Sequence, residues 1–178
     1  MRMLSRSWIL PTILIGPAIV SEAYCAVYMS EAQASAALFP GQTFTKSSIK
    51  LSAEEKAKIE AASGEAVRSS SLNLYKDAAG DLVFIDRVLG KHEFITYAVG
   101  VASNGKIKGI EILEYRESYG YEIRGPAWRA QFEGKDKSST LKVDSDIKNI
   151  SGATLSSNHV TAGVRRLMQT YDIIKARI

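Results

Sequence analysis

Three regimes of apolar patterning divide the chain. The first is a nearly unbroken apolar run over residues 8–20, preceded by Arg2 and Arg6 and followed by the small residues Ser21 and Ala23. Charge, apolar stretch and small residues in that order are the anatomy of a secretory signal. As a helix the run would extend only about 20 Å, short of a hydrocarbon core of roughly 30 Å. Residues 1–23 therefore read as a signal peptide, and because residues 24–29 are again mostly apolar, an uncleaved N-terminal membrane anchor is the second reading. In the next regime, Ser30 precedes an Ala-rich stretch ending at Phe39-Pro40-Gly41, and Ser52 precedes Glu54, Glu55 and a segment closing at Ser63-Gly64. Hydroxyl caps in front with Pro or Gly behind predict two short helices, so that residues 24–71 form a helical N-terminal extension.

From residue 72 the pattern changes to short runs rich in Val, Ile, Phe and Tyr, separated by turns at residues 77–81, at Gly90-Lys91 and at Asn104-Gly105. These are strands. Asn104-Gly105 between the runs 94–102 and 106–115 predicts a hairpin closed by a type I′ turn. Gly125-Pro126-Ala127-Trp128 opens a short helix that places Trp128 and Phe132 on one face and stops at Gly134. After Ser156, the residues Val160, Val164, Leu167, Tyr171 and Ile174 recur at spacings of three and four, the mark of an amphipathic helix. The fold expected is α+β: an antiparallel sheet with a central hairpin, packed against a C-terminal amphipathic helix, with short N-terminal helices and with residues 72–178 as the main domain.

Composition narrows the chemistry. The formal charge is only +4 and no basic run is interleaved with aromatics, so nucleic acid is not an expected partner. A single cysteine, Cys25, excludes an internal disulfide, a haem attached through paired cysteines and a thiolate-held iron–sulfur cluster. Lipid attachment at Cys25 is disfavoured because bulky Tyr24 precedes it. His92 and His159 are too few and too isolated for a metal site. No Ser-His-Asp order, paired-carboxylate spacing or Walker glycine loop is present, which removes hydrolase and kinase readings and leaves no residue singled out as catalytic.

The stretch Ser151-Gly152-Ala153-Thr154-Leu155-Ser156-Ser157 joins an apolar approach to the final helix. Small residues allow a ligand near the backbone, the first helical N–H groups lack partners and the helix dipole favours negative charge, so a phosphate would be held well there. The same residues also make an ordinary N-cap. On this motif, on Arg116-Glu117-Ser118-Tyr119-Gly120-Tyr121-Glu122 and on Trp128 through Phe132 to Gly134-Lys135, residues 89–171 resemble the FMN-binding domain of the C subunit of sodium-pumping NADH:quinone oxidoreductase and of the G subunit of the Rnf electron-transport complex. The resemblance implies an exported flavoprotein, in the periplasm or on the outer face of the cytoplasmic membrane, that passes electrons to or from a membrane-bound redox partner. It further implies FMN esterified to Thr154 by a separate flavin transferase, with Ser151, Gly152, Ala153, Leu155, Ser156 and Ser157 around the phosphate and Glu117, Ser118 and Gly120 close to the flavin. Lys135 would pair with phosphate or point to solvent. Two positions depart from the family: Tyr119 stands where proline is usual, as a ring that stacks on flavin or fills the core, and Lys148 stands where an acid commonly precedes the attachment motif.

Other readings remain beside this one. A flavin-dependent reductase acting on a small molecule would need a proton donor such as Tyr119, Tyr121 or His159. A non-redox module of the same fold would use the serine-rich turn for another anion or for none. Gly90-Lys91-His92-Glu93 gathers site-like residues, yet a solvated turn at a strand entry has the same composition.

Overall fold

A computed structural model of the protein describes residues 26–178; the expected signal or anchor over residues 1–23 and the Cys25 position lie outside the described residues. Strand β1 (Ala26–Val27) leads into helix α1 (Glu31–Leu38), strand β2 (Thr45–Lys50) and helix α2 (Ala53–Ser63). Strands β3 (Ser71–Lys76), β4 (Leu82–Leu89), β5 (Phe94–Val101) and β6 (Ile107–Tyr115) follow, then helix α3 (Pro126–Arg129) and the long helix α4 (Thr154–Ile174). The strands form one antiparallel sheet in the order β1-β6-β5-β4-β3-β2. This is the expected α+β architecture, with the β5–β6 hairpin inside the sheet and α4 across it.

Both N-terminal helices begin as their sequences require. Ser30 and Ser52 each accept the N–H of the third helical residue, and Gln33 and Glu55 reach back to the cap N–H, so each end carries a complete capping box. What the patterning did not announce is β2. Its sequence, Thr-Lys-Ser-Ser-Ile-Lys, is almost wholly exposed and has no apolar alternation, because an edge strand with a solvated face is held by backbone pairing to β3 rather than by burial. The segment 24–71 is thus not only helical: it supplies both edge strands of the sheet.

Alternation along the central strands assigns their two faces. Phe84, Tyr97, Val99, Ile110 and Ile112 face α4 in the main core, whereas Val83, Ala98 and Leu113 face Ala34, Leu38 and Phe39 of the α1 segment in a smaller one. On α4, the predicted stripe of Val160, Val164, Leu167 and Ile174 is buried. Among the described residues no helix is long and apolar enough to cross a membrane.

The β5–β6 turn corrects the type I′ expectation. Only Gly105 has a positive φ, of 81°, and Asn104 is not among the left-handed residues. The Gly105 N–H donates to the Ala102 carbonyl at 2.7 Å and the Ala102 N–H to that of Lys106 at 2.8 Å. That is a three-residue connection in which glycine takes the left-handed bulge position, while Asn104 Oδ1 accepts the Lys106 N–H at 3.0 Å.

Candidate functional site

The turn Ser151-Gly152-Ala153 brings the chain onto the start of α4. Gly152 has φ of 86°, a conformation that glycine adopts without strain, and an added Cβ there would meet no atom within 4 Å. The ground above this turn is therefore open. Ser151, Gly152 and Thr154 are exposed and Ala153 is buried. No side chain caps α4, so the N–H groups of its first turn, which a helix cannot pair internally, remain directed at this open ground. Thr154 is the first helical residue, and its hydroxyl accepts only a long contact from Asn149 Nδ2 at 3.4 Å.

The serines divide. Ser157 is fully buried and its hydroxyl donates to the Ala153 carbonyl at 2.6 Å and contacts Asn149 Oδ1 at 3.3 Å. Ser156 is also buried, and its hydroxyl meets the Tyr115 hydroxyl at 2.9 Å. Both side chains thus serve the protein, and of the hydroxyls in the motif only those of Ser151 and Thr154 face outward. Leu155 is 47% exposed beside them.

Tyr115, the last residue of β6, joins the two candidate segments. Its hydroxyl donates to the Tyr119 carbonyl, which leaves Ser156 Oγ to donate to the phenol oxygen. Burial raises the Tyr115 phenol above its ordinary value, against the opposing effect of the Ser156 hydrogen bond. The phenol therefore stays protonated well above neutral pH. Gly120, with φ of 95°, packs so closely that an added Cβ would lie 2.5 Å from Tyr115 Oη, 3.2 Å from Ser156 Oγ and 3.3 Å from Ala153 Cβ. The Glu117-Ser118-Tyr119-Gly120 turn and the start of α4 are consequently one unit.

Glu117 has a use that its sequence did not disclose. Its Oε1 accepts the N–H of His92 at 2.6 Å and of Glu93 at 3.1 Å, tying the Gly90-Lys91-His92-Glu93 turn to the site. Burial alone would raise the carboxyl, but the backbone N–H donors of His92, Glu93 and Lys91 outweigh it and hold it below the ordinary carboxylate value. With a depressed folded-state pKa, the contact is complete above the unfolded carboxylate value, about 4.3, and is lost as pH falls through the lower folded value. The amide resonances of His92 and Glu93 should therefore shift together on acidification with a midpoint below that of an exposed glutamate; a midpoint at or above it would refute the assignment. Glu117→Gln should displace both resonances at neutral pH.

Tyr119 is 84% exposed and Tyr121 60% exposed, so Tyr119 does not fill the core: its backbone is fixed by Tyr115 while its ring stands in solvent. Ser118 is exposed as well. Lys135 forms an ion pair with Asp146 at 3.0 Å, and the same carboxylate accepts the Leu141 and Lys142 N–H groups, so its ammonium braces the loop that leads to the turn. Further bracing comes from the predicted Trp128 helix. Trp128 Nε1 donates to the Lys148 carbonyl at 3.0 Å and the Lys148 N–H donates to Gln131 Oε1 at 2.7 Å, while Trp128 and Phe132 meet edge to face. The Lys148 side chain is exposed. Tyr115 and Asn149 were not singled out by sequence. Each belongs to the site through two hydrogen bonds, to Tyr119 and Ser156 for Tyr115 and to Thr154 and Ser157 for Asn149, that no local pattern encodes.

The family model described as FMN-binding domain matches residues 90–169, which include every element of the site described above. Over 82 residues the chain is 32% identical to the G subunit of the Na(+)-translocating ferredoxin:NAD(+) oxidoreductase complex of Acetobacterium woodii, an alignment covering 41% of this chain. The chain thus spans about 40% of the length of the curated relative it matches.

Proposed function

Since residues 90–169 are a domain of the FMN-binding family, we propose that the protein is an extracytoplasmic electron-transfer flavoprotein whose FMN phosphate is held at the start of α4 and esterified to Thr154. The observation that carries this reading is the uncapped helix start, where an outward hydroxyl, a glycine turn with free space above it and unpaired N–H groups converge.

These residues fit a flavin phosphate. The N–H groups of the first α4 turn would bind its oxygens, aided by the helix dipole. Ser151 would add a hydroxyl donor, and the exposed Lys148 side chain, three residues earlier, a positive charge. The Thr154 oxygen would form the phosphoester. Exposed Leu155, Tyr119 and Tyr121 offer apolar surface to a ring system, and the turn held by Glu117 closes the same side. Bound FMN supplies reversible one-electron and two-electron chemistry, and the protein's part is to position the ring and adjust its potential.

A covalent bond retains the cofactor where released flavin would be lost by dilution, which suits an exported protein. In the same reading, residues 1–23 are the targeting segment, residues 72–178 hold the flavin and residues 24–71 buttress its sheet. A flavin transferase matures the protein and a membrane-bound redox complex exchanges electrons with it; the relative's name, that of one component of an oxidoreductase complex, supports such a partner. Protein produced with its N-terminal segment in a host that has a flavin transferase should be yellow and should bleach and recover reversibly on reduction and reoxidation. A colourless product would reject the proposal.

A further inference from the structure

Asn149 stands five residues before Thr154, across the glycine turn. The backbone leading into it is clamped on both sides of the preceding residue: the Lys148 N–H donates to Gln131 Oε1 at 2.7 Å and the Lys148 carbonyl accepts Trp128 Nε1 at 3.0 Å. The Asn149 carboxamide is fixed in turn. Its Oδ1 accepts the Ile150 N–H at 2.8 Å and lies 3.3 Å from the hydroxyl of the fully buried Ser157. A backbone N–H requires an oxygen there, so the amide nitrogen is the atom that faces Thr154 Oγ1, at 3.4 Å.

Among the described residues the Thr154 hydroxyl has no other hydrogen-bond partner, since Asn158 Nδ2 donates to the Thr154 carbonyl, at 2.9 Å. An N–H donor on one side of Oγ1 has two consequences. The hydroxyl hydrogen is turned away from Asn149, and one staggered rotamer of the threonine is favoured over the others. When the hydroxyl gives up its proton, negative charge collects on Oγ1, and a donor already in place stabilises that charge more than it stabilises the neutral hydroxyl.

We propose that Asn149 is a positioning residue for the attachment of a flavin phosphate at Thr154. The inference rests on the flavin reading of the turn and adds to it a residue outside the motif. In the attachment step Thr154 releases its hydroxyl proton to solvent, Oγ1 bonds the phosphorus, and the bond from that phosphorus to a departing nucleotide breaks. The flavin is therefore delivered as a dinucleotide, whose pyrophosphate supplies the bond that breaks, and no electrons are exchanged. Asn149 Nδ2 sets the rotamer before the step and stabilises the charge on Oγ1 during it. Its second N–H, without a partner among the described residues, is available to a phosphate oxygen.

The test uses full-length protein made without a flavin transferase, then treated with purified transferase and flavin dinucleotide and followed by intact mass at several protein concentrations. Asn149→Ala should lower kcat for flavin uptake by at least about tenfold and leave KM for the protein within about twofold of the wild type. Asn149→Leu, which restores the bulk of the side chain without the donor, should behave like Asn149→Ala. Asn149 is exposed, so both variants should melt within about 2 °C of the wild type. In the unmodified proteins, three-bond couplings should show one Thr154 side-chain rotamer in the wild type and an average over several in both variants. Unchanged kcat or unchanged couplings overturn the proposal. A loss confined to KM, or one that accompanies a lowered melting temperature, also overturns it, because Asn149 would then shape the turn or its recognition rather than act on Thr154. Failure of the flavin reading looks different: the wild type itself gains no flavin mass at any protein concentration, and the role of Asn149 falls with it.

Discussion

Thr154→Ala, produced with its N-terminal segment in a host competent for flavin transfer, should emerge at its bare polypeptide mass, while the wild type carries a flavin-sized increment. The effect should be complete, because the substitution removes the oxygen that would form the bond. It should cost the fold little. Thr154 is exposed at the first position of α4 and makes one long contact with Asn149, so the stability change should stay within about 0.5 kcal/mol. Thr154→Ser retains a hydroxyl at the same place and should keep the increment, at least in part. Intact-mass spectrometry reads all three proteins. An increment that survives in Thr154→Ala would move the attachment to another hydroxyl, with Ser151 the only other one in the motif that faces outward. A yellow wild type of bare mass would keep the flavin and reject the bond.

Gly120→Ala should give the largest loss of stability among the site substitutions, with flavin retention falling alongside. Two costs coincide there. The left-handed backbone at φ of 95° penalises any Cβ, by roughly 1–2 kcal/mol. The Cβ would also stand 2.5 Å from the Tyr115 hydroxyl, which cannot retreat without breaking its bonds to the Tyr119 carbonyl and to Ser156. Overpacking of this kind costs about 1–3 kcal/mol. Together these amount to a fall in Tm on the order of 10 °C for a chain of this size. The clash has a specific partner, so Gly120→Ala should cost less when made in Tyr115→Phe protein than in the wild type. A double-mutant cycle followed by thermal melting checks this; strictly additive losses would show that Tyr115 does not join the two turns.

The legibility of the chain differed from element to element for identifiable reasons. The α1 and α2 starts were readable because a capping box is closed within four residues. The α4 stripe was readable because burial of one helix face imposes a period on the sequence. β2 escaped because its exposed edge imposes none. The hairpin between β5 and β6 was legible while its turn type was not: Asn-Gly suits a type I′ turn, yet the pairing of Ala102 with Lys106 leaves three residues in the connection and requires a positive φ only at Gly105.

At the site the same division holds. Legible from neighbouring residues alone were a small, hydroxyl-rich turn at the start of an amphipathic helix, a charged glycine turn after β6, and, from the single cysteine, that any electron carrier would be neither a disulfide, a cysteine-attached haem nor a thiolate-held cluster. Those are properties of neighbouring residues. Long-range packing turns Ser156 and Ser157 inward and leaves Ser151 and Thr154 outward, lets Glu117 grip the turn at His92 and Glu93, and commits Lys135 to Asp146. Each of these depends on partners brought together by sheet register and helix placement, as Tyr115 and Ser156 are from 41 residues apart. A carboxylate or hydroxyl has the same local sequence signature whether it meets solvent, a ligand or a distant N–H group, and only the packing of the chain chooses among them.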